Sequence, residues 1–220
     1  MSTTERRQIE LPLTVGQRDD GKGLRITGYG AVFYREGSAG TEYRLMDDYV
    51  ERIAPGAFDE TAEKDDIRGL FNHDSNQILG RISAGTMRLS VDKTGLRYDI
   101  DLPDNDVGKR VATSIERGDI TGSSFSFRAR RVGIEDVGNG QTVRELQDVQ
   151  VMDVGPVTYP AYSGTSADVR SESTQTARDE LMAWKAAKEA DKRIRQKEAD
   201  QATVAADLAS LGFSMNTLDI

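Results

Sequence analysis

Residues 86–102 read TMRLSVDKTGLRYDIDL, and their alternation decides what kind of fold the chain adopts. Met87, Leu89 and Val91 fall on one side of an extended strand. Leu96, Tyr98, Ile100 and Leu102 do the same on the next, with Arg97, Asp99 and Asp101 expected on the outside. A period of two marks a half-buried strand, because successive side chains of a pleated backbone point to opposite faces. The DKTG between the two runs is a turn signal, so the stretch predicts a β-hairpin. A second hairpin is predicted across EDVGNGQTV, residues 135–143, where Gly138, Asn139 and Gly140 permit positive φ. Between them lies one short helix, capped by Asn105 or Asp106 and stopped by Gly118, with Val107, Val111 and Ile115 facing inward. A further helical turn or two is expected at residues 57–63, after PGAF. Short strands with few helices indicate an α+β, mainly β, barrel-like domain.

Composition narrows the function. The chain has 29 Lys and Arg against 37 Asp and Glu, a net charge of −8, so overall charge does not hold it to nucleic acid. With no cysteine there is no disulfide framework, no thiolate zinc site and no cysteine nucleophile. The N-terminal MSTTERRQIE lacks the apolar core of a signal peptide. No apolar run approaches the roughly 18 residues that span a bilayer. A soluble protein without a membrane partner is expected. Composition changes near residue 162, from Gly-punctuated alternation to Ser/Thr and then to Ala, Lys, Glu and Arg. The expected organisation is a domain over residues 1–165, a polar linker over 166–176, a helical arm over 177–211 and a tail over 212–220. On the arm, Glu189 with Arg193 and Asp191 with Arg195 are i, i+4 pairs in the favourable order. Its apolar stripe (Leu181, Trp184, Ala187, Ala190, Ile194) is too thin to form a core alone.

Two motif-like stretches carry no chemistry. GQRDDGKG, residues 16–23, has phosphate-loop spacing but ends in Gly where a Ser or Thr must hold magnesium, and is read as a turn. DNDVG, residues 104–108, begins like a calcium loop, but Ile115 stands where a bidentate Glu is required. Other stretches hold reactive groups. SSFSFRARRV alternates so that Phe125, Phe127 and Ala129 share a core face, while Ser124, Ser126, Arg128 and Arg130 share the other, toward a cleft or solvent. In DVQVMDVGPVTYPAY, counting by two places Asp153 on the apolar face with Val149 and Val151, which is costly for an unpaired carboxylate. Its partner is an arginine, a backbone N–H or the only histidine, His73, in GLFNHDSNQILGRI. A His, Ser and acid set is therefore available, in the chain order His73, Ser124, Asp153. No G-x-S-x-G elbow is present. Pattern alone leaves His73 open as packing or as a base.

The wording of six stretches resembles the prohead proteases of tailed bacteriophages, maturation enzymes with a fold related to herpesvirus assemblin. They are ITGYGAVF, ERIAPGAFDET, GLFNHDSNQILGRI, GLRYDIDLP, IERGDITGSSFSF and VMDVGPVTYPAY, in the family's order over most of residues 20–165. The resemblance implies an assemblin-like β-barrel with a few short helices, followed by the helical arm. It implies a serine endopeptidase with His73 as base, Ser124 as nucleophile and Asp153 as the acid, where the family usually has Glu; Asp148 is the alternative acid. Arg128 or Arg130 is a candidate to assist the oxyanion. The implied substrates are the major capsid protein, its scaffolding segment and the protease itself, cut inside the assembling prohead in the host bacterial cytoplasm. Homodimerisation stays open, and no metal or organic cofactor is implied. The rival is a non-catalytic capsid assembly or scaffolding factor that retains the fold.

Overall fold

A computed structural model of the chain describes residues 4–138, 140–160 and 172–210. In chain order its elements are β1 (Glu5–Ile9), β2 (Thr14–Gln17), β3 (Leu24–Val32), β4 (Glu42–Met46), β5 (Tyr49–Ile53), α1 (Asp59–Lys64), β6 (Arg68–Leu70) and β7 (Ile78–Arg81). There follow β8 (Met87–Val91), β9 (Gly95–Asp101), α2 (Asp106–Glu116), β10 (Gly122–Gly138), β11 (Gln141–Val157) and α3 (Glu172–Ser210). The chain divides into two compact units, Met1–Ala177 and Arg178–Ile220.

Both predicted hairpins form. β8 and β9 pair antiparallel with Met87 opposite Ile100, Leu89 opposite Tyr98 and Val91 opposite Leu96, which joins the two apolar faces read from the alternation. Asp101 departs from expectation. It is buried, and it accepts from Arg25 Nε at 2.6 Å. Burial pushes its carboxyl up, but bonds and charge from Arg25 and Arg88 outweigh this and hold it below the ordinary value. The other hairpin is longer than its turn signal suggests, since β10 and β11 are 17 residues each. α2 is capped as expected: Asn105 Oδ1 accepts from Gly108 N at 3.0 Å, and Gly118 takes φ 80° just beyond its end.

The strands form two sheets, one ordered β1-β10-β11-β5-β4 with β6 beside β11 and β7 beside β6, the other ordered β2-β3-β9-β8. The α+β, mainly β class stands, but no ladder among the described residues closes the sheets into the expected barrel. The course of β11 gives the reason. Its first part pairs with β5 through Thr142–Leu146 and its last part with β6 through Asp153 and Val154. Between them its edge meets the α1 region instead of another strand. Val149 N donates to Ala57 O at 3.1 Å, and Val151 N to Thr61 Oγ1 at 2.9 Å, so no buried donor is left unmet there.

One core lies between the sheets. Ile26, Tyr98 and Ile100 of the smaller sheet cluster with Phe125, Phe127, Val151 and Val154 of the larger. Phe125 stacks on Phe127 at 4.9 Å and receives the edge of Phe58 at 5.8 Å. The sheets approach so closely that a Cβ on Gly30 would lie 2.3 Å from Val154 Cγ2.

The arm is helical as composition predicted, but it starts earlier. α3 begins at Glu172, so residues 172–176, expected in the linker, are helical. At 1.5 Å per residue its 39 residues extend about 58 Å. Both expected i, i+4 pairs form, Arg193 to Glu189 at 3.4 Å and Arg195 to Asp191 at 2.9 Å. The rest of the expected linker, together with Leu211 and the tail over 212–220, lies outside the described residues.

Candidate active site

The placement of Asp153 turns on one extra residue. Along β10 and β11, Phe127 stands opposite Val151 but Ser126 stands opposite Asp153, so Met152 is a bulge between them. Val149, Val151 and Val154 all join the core, whereas Asp153 shares the opposite face with Ser126 and Ser124. Counting by two from Val149 carried Asp153 onto the apolar face because Met152 was counted as an ordinary strand residue. The bulge removes that conflict and puts the carboxylate beside the serines.

His73 arrives on the loop between β6 and β7. Asn72 and His73 both take left-handed backbone, φ 54° and 57°, which is uncommon outside glycine and tolerated best by short polar residues such as Asn. The Asn72 side chain secures the turn. Its Oδ1 accepts from Thr158 N at 2.8 Å, and its Nδ2 donates to Thr158 Oγ1 at 2.9 Å. Its backbone N–H donates to Pro156 O at 3.1 Å. The loop is thus tied to the end of the strand that carries Asp153. Asp74, the other polar neighbour of His73, accepts from Asn76 N at 2.8 Å and serves the turn alone.

The three sequence-predicted side chains converge. His73 Nδ1 lies 2.5 Å from Asp153 Oδ1, and His73 Nε2 lies 2.6 Å from Ser124 Oγ. Asp153 Oδ2 accepts a hydrogen bond from Ser126 Oγ. A carboxylate only accepts, so Nδ1 must carry the proton, and in the neutral imidazole Nε2 is then free to take the serine proton. Among the described residues no group of three or more His, Asp or Glu side chains is placed to hold a metal ion.

Serine proteases are the class that uses such a chain of groups, and comparison with known families bears directly on it. The family model described as caudovirus prohead serine protease matches residues 12–180. The chain belongs to that family. A search of curated protein sequences gives no match. Among solved structures, this prohead serine protease is similar to the bacteriophage T4 capsid assembly protease, gp21, at 13% identity and a TM-score of 0.46, over 72% of this chain and 97% of that one.

Several expectations for the prohead protease need correction. Ser124 does not face a cleft or solvent: it is 0% exposed. β1 lies along β10 with Gln8 opposite Ser124, and Ser124 Oγ donates to Arg7 O at 2.9 Å. The single hydroxyl proton therefore has two acceptors within reach, the Arg7 carbonyl and His73 Nε2. Arg130 cannot assist an oxyanion, because Asp65, Glu60 and Asp148 hold it at 3.1, 3.6 and 3.7 Å. Asp148, the alternative acid, is not the carboxylate that meets His73: Nδ1 bonds to Asp153 instead. Arg128 is exposed, and four residues along a strand place its Cα about 13 Å from that of Ser124, too far to serve that oxygen.

β1 itself carries the feature that sequence reasoning missed. Glu5 and Arg7 are buried together with Glu51 of β5 and Arg144 of β11. Arg7 donates to Glu51 at 2.6 and 2.8 Å, and Arg144 donates to Glu5 at 2.9 and 3.0 Å and to Glu51. Burial pushes the Glu51 carboxyl up, yet the two guanidiniums outweigh it and hold it below its ordinary value. Ions buried this completely cost several kcal/mol each unless fully paired, and here two acids meet two bases.

Proposed function

We propose that this chain is an endopeptidase in which Ser124 is the nucleophile, His73 the general base and Asp153 the orienting acid. The unbroken hydrogen-bonded line from Ser124 through His73 to Asp153 carries this reading. Ser124 Oγ attacks the scissile carbonyl carbon while His73 Nε2 takes its proton and then delivers it to the departing amine. Asp153 keeps the Nδ1–H tautomer in place and stabilises the imidazolium that forms. Water, deprotonated by the same imidazole, hydrolyses the acyl ester. Preorganised backbone N–H groups are the natural donors to the oxyanion, since the two arginines first considered are spent or distant.

The substrates we propose are the major capsid protein, its scaffolding segment and the chain itself, cleaved inside an assembling prohead in the bacterial cytoplasm. The prohead description of the family and the six sequence stretches support this. One observation favours the rival, a non-catalytic assembly factor: Ser124 is fully buried, with β1 paired along its strand. A fluorophosphonate probe separates the two. Labelling at Ser124, lost in His73→Gln with the fold intact, is expected of the protease. Folded protein that never labels belongs to the assembly factor.

A further inference from the structure

The segment that covers Ser124 is bound as a substrate would be. β1 runs antiparallel along β10, the strand of the nucleophile, with a main-chain carbonyl at the serine hydroxyl. Strand addition to a sheet edge lets main-chain bonds supply affinity and leaves alternate side chains to supply selectivity. Here the alternate side chains, Glu5 and Arg7, enter a site built from the body of the domain. Arg7 lies over the Phe127 ring at 5.4 Å and forks onto both oxygens of Glu51, at 2.6 and 2.8 Å. Glu5, two residues earlier, takes both terminal nitrogens of Arg144, at 2.9 and 3.0 Å. Glu51 and Arg144 also bond each other, so neither is left as a lone buried charge when the segment departs.

Building on the serine-protease reading above, we propose that Glu51 and Arg144 are specificity subsites for an extended peptide carrying an acidic residue, any residue and then arginine. The bond after the arginine is cut. Glu51 forks onto the guanidinium of that arginine, and Arg144 takes the carboxylate two residues before it. Ser124 Oγ bonds to the arginine's carbonyl carbon as its proton passes to His73, and the C–N bond breaks with that proton leaving on the amine. Water then releases the arginine carboxylate and restores the serine. β1 carries the pattern as Glu5-Arg6-Arg7, and Asp168-Val169-Arg170 is one of its four other occurrences in the sequence, beside 42–44, 66–68 and 191–193.

The test uses the full chain, its Arg7→Ala and Arg7→Lys variants, and a synthetic peptide of residues 163–175. Fragment masses locate the cut, and fluorophosphonate labelling of Ser124 is followed alongside. Cleavage is expected after Arg170, faster in Arg7→Ala because Glu51 is then vacant, with Arg7→Lys intermediate. A peptide with Arg170→Leu should be cut at least about 100-fold more slowly, since it forfeits the forked guanidinium bonds to Glu51 and leaves that carboxylate with Arg144 as its remaining donor. Glu51→Gln should narrow that ratio more than it slows labelling. Equal turnover of the arginine and leucine peptides overturns the proposal, as does cleavage at another bond or labelling of Ser124 with no peptide cut. Failure of the probe to label any of these folded proteins refutes the serine-protease reading itself, and the subsites with it.

Discussion

Asp153→Asn separates chemistry from stability in this site, and the hydrogen bonds show why. The carboxylate accepts from two donors at once, His73 Nδ1–H on Oδ1 and the Ser126 hydroxyl on Oδ2. Asparagine offers one acceptor and one donor group in the same plane. Its Oδ1 can keep the bond from Ser126, so its Nδ2 must face His73 Nδ1 and donate to it. The imidazole then carries its proton on Nε2, and Ser124 can only accept from it. No hydrogen bond is lost in number, and stability should change by no more than about 1 kcal/mol. For a chain of this size that is a melting shift of about 2–4 °C. Catalysis loses its base. The equivalent change in serine proteases costs about 10⁴ in rate, close to 5.4 kcal/mol at 1.36 kcal/mol per tenfold. The assay is the second-order rate of fluorophosphonate labelling beside a melting curve. Labelling near the wild-type rate with a melting point far lower would refute the reasoning and make Asp153 a buried structural charge.

Ser124→Ala should abolish labelling and cleavage with the fold intact, while Ser126→Ala, which leaves Asp153 Oδ2 short of a donor, should slow labelling by about tenfold; the reverse ranking would put the nucleophile one pleat away. Asn72→Ala should slow labelling more than Asn72→Gly does, because alanine adds about 1–2 kcal/mol of left-handed strain to the lost Thr158 bonds, and equal rates would show that the turn does not depend on it. Gly155→Ala should destabilise by about 1–3 kcal/mol and slow labelling as well, since its Cβ would lie 2.0 Å from the Leu70 carbonyl oxygen and push β6 outward; unchanged melting would refute that. A chain ending at Ala177 should label normally yet enter proheads poorly, if the arm docks the enzyme on the assembling shell. Packaging equal to that of the full chain would end that idea.

The elements that could be read from sequence are those whose alternation is unbroken. Residues 86–102 switch cleanly between apolar and polar positions, so their hairpin and its register follow. The His73, Ser124 and Asp153 set was legible through resemblance, because pattern reasoning left His73 open and misplaced Asp153. A single bulge residue such as Met152 has no compositional mark, yet every later position in the strand changes face. β1 was illegible for another reason. ERRQI looks like a solvated segment, and only pairing with Glu51 and Arg144, remote in sequence, makes burial of Glu5 and Arg7 tolerable. Long-range charge compensation of that kind leaves no local periodicity.

β11 explains how pieces of chain remote in sequence bring three side chains within hydrogen-bond distance of one another. Asp153 stands on it directly. On one edge it pairs with β10, where Ser124 faces Gly155; on the other it pairs with β6, where Gly69 faces Val154 and the chain then runs on to His73. The His73 loop is tied down again at Pro156 and Thr158, just past the same stretch. All three groups are therefore indexed to residues 153–158, so errors in the rest of the fold do not accumulate between them. The cost falls on local backbone: a bulge at Met152, two left-handed residues at 72 and 73, and a glycine at 155 that lets the Leu70 carbonyl pass. The bulge turns Asp153 toward the serines, the left-handed pair carries His73 in between, and Gly155 lets β6 come close enough to hold that loop.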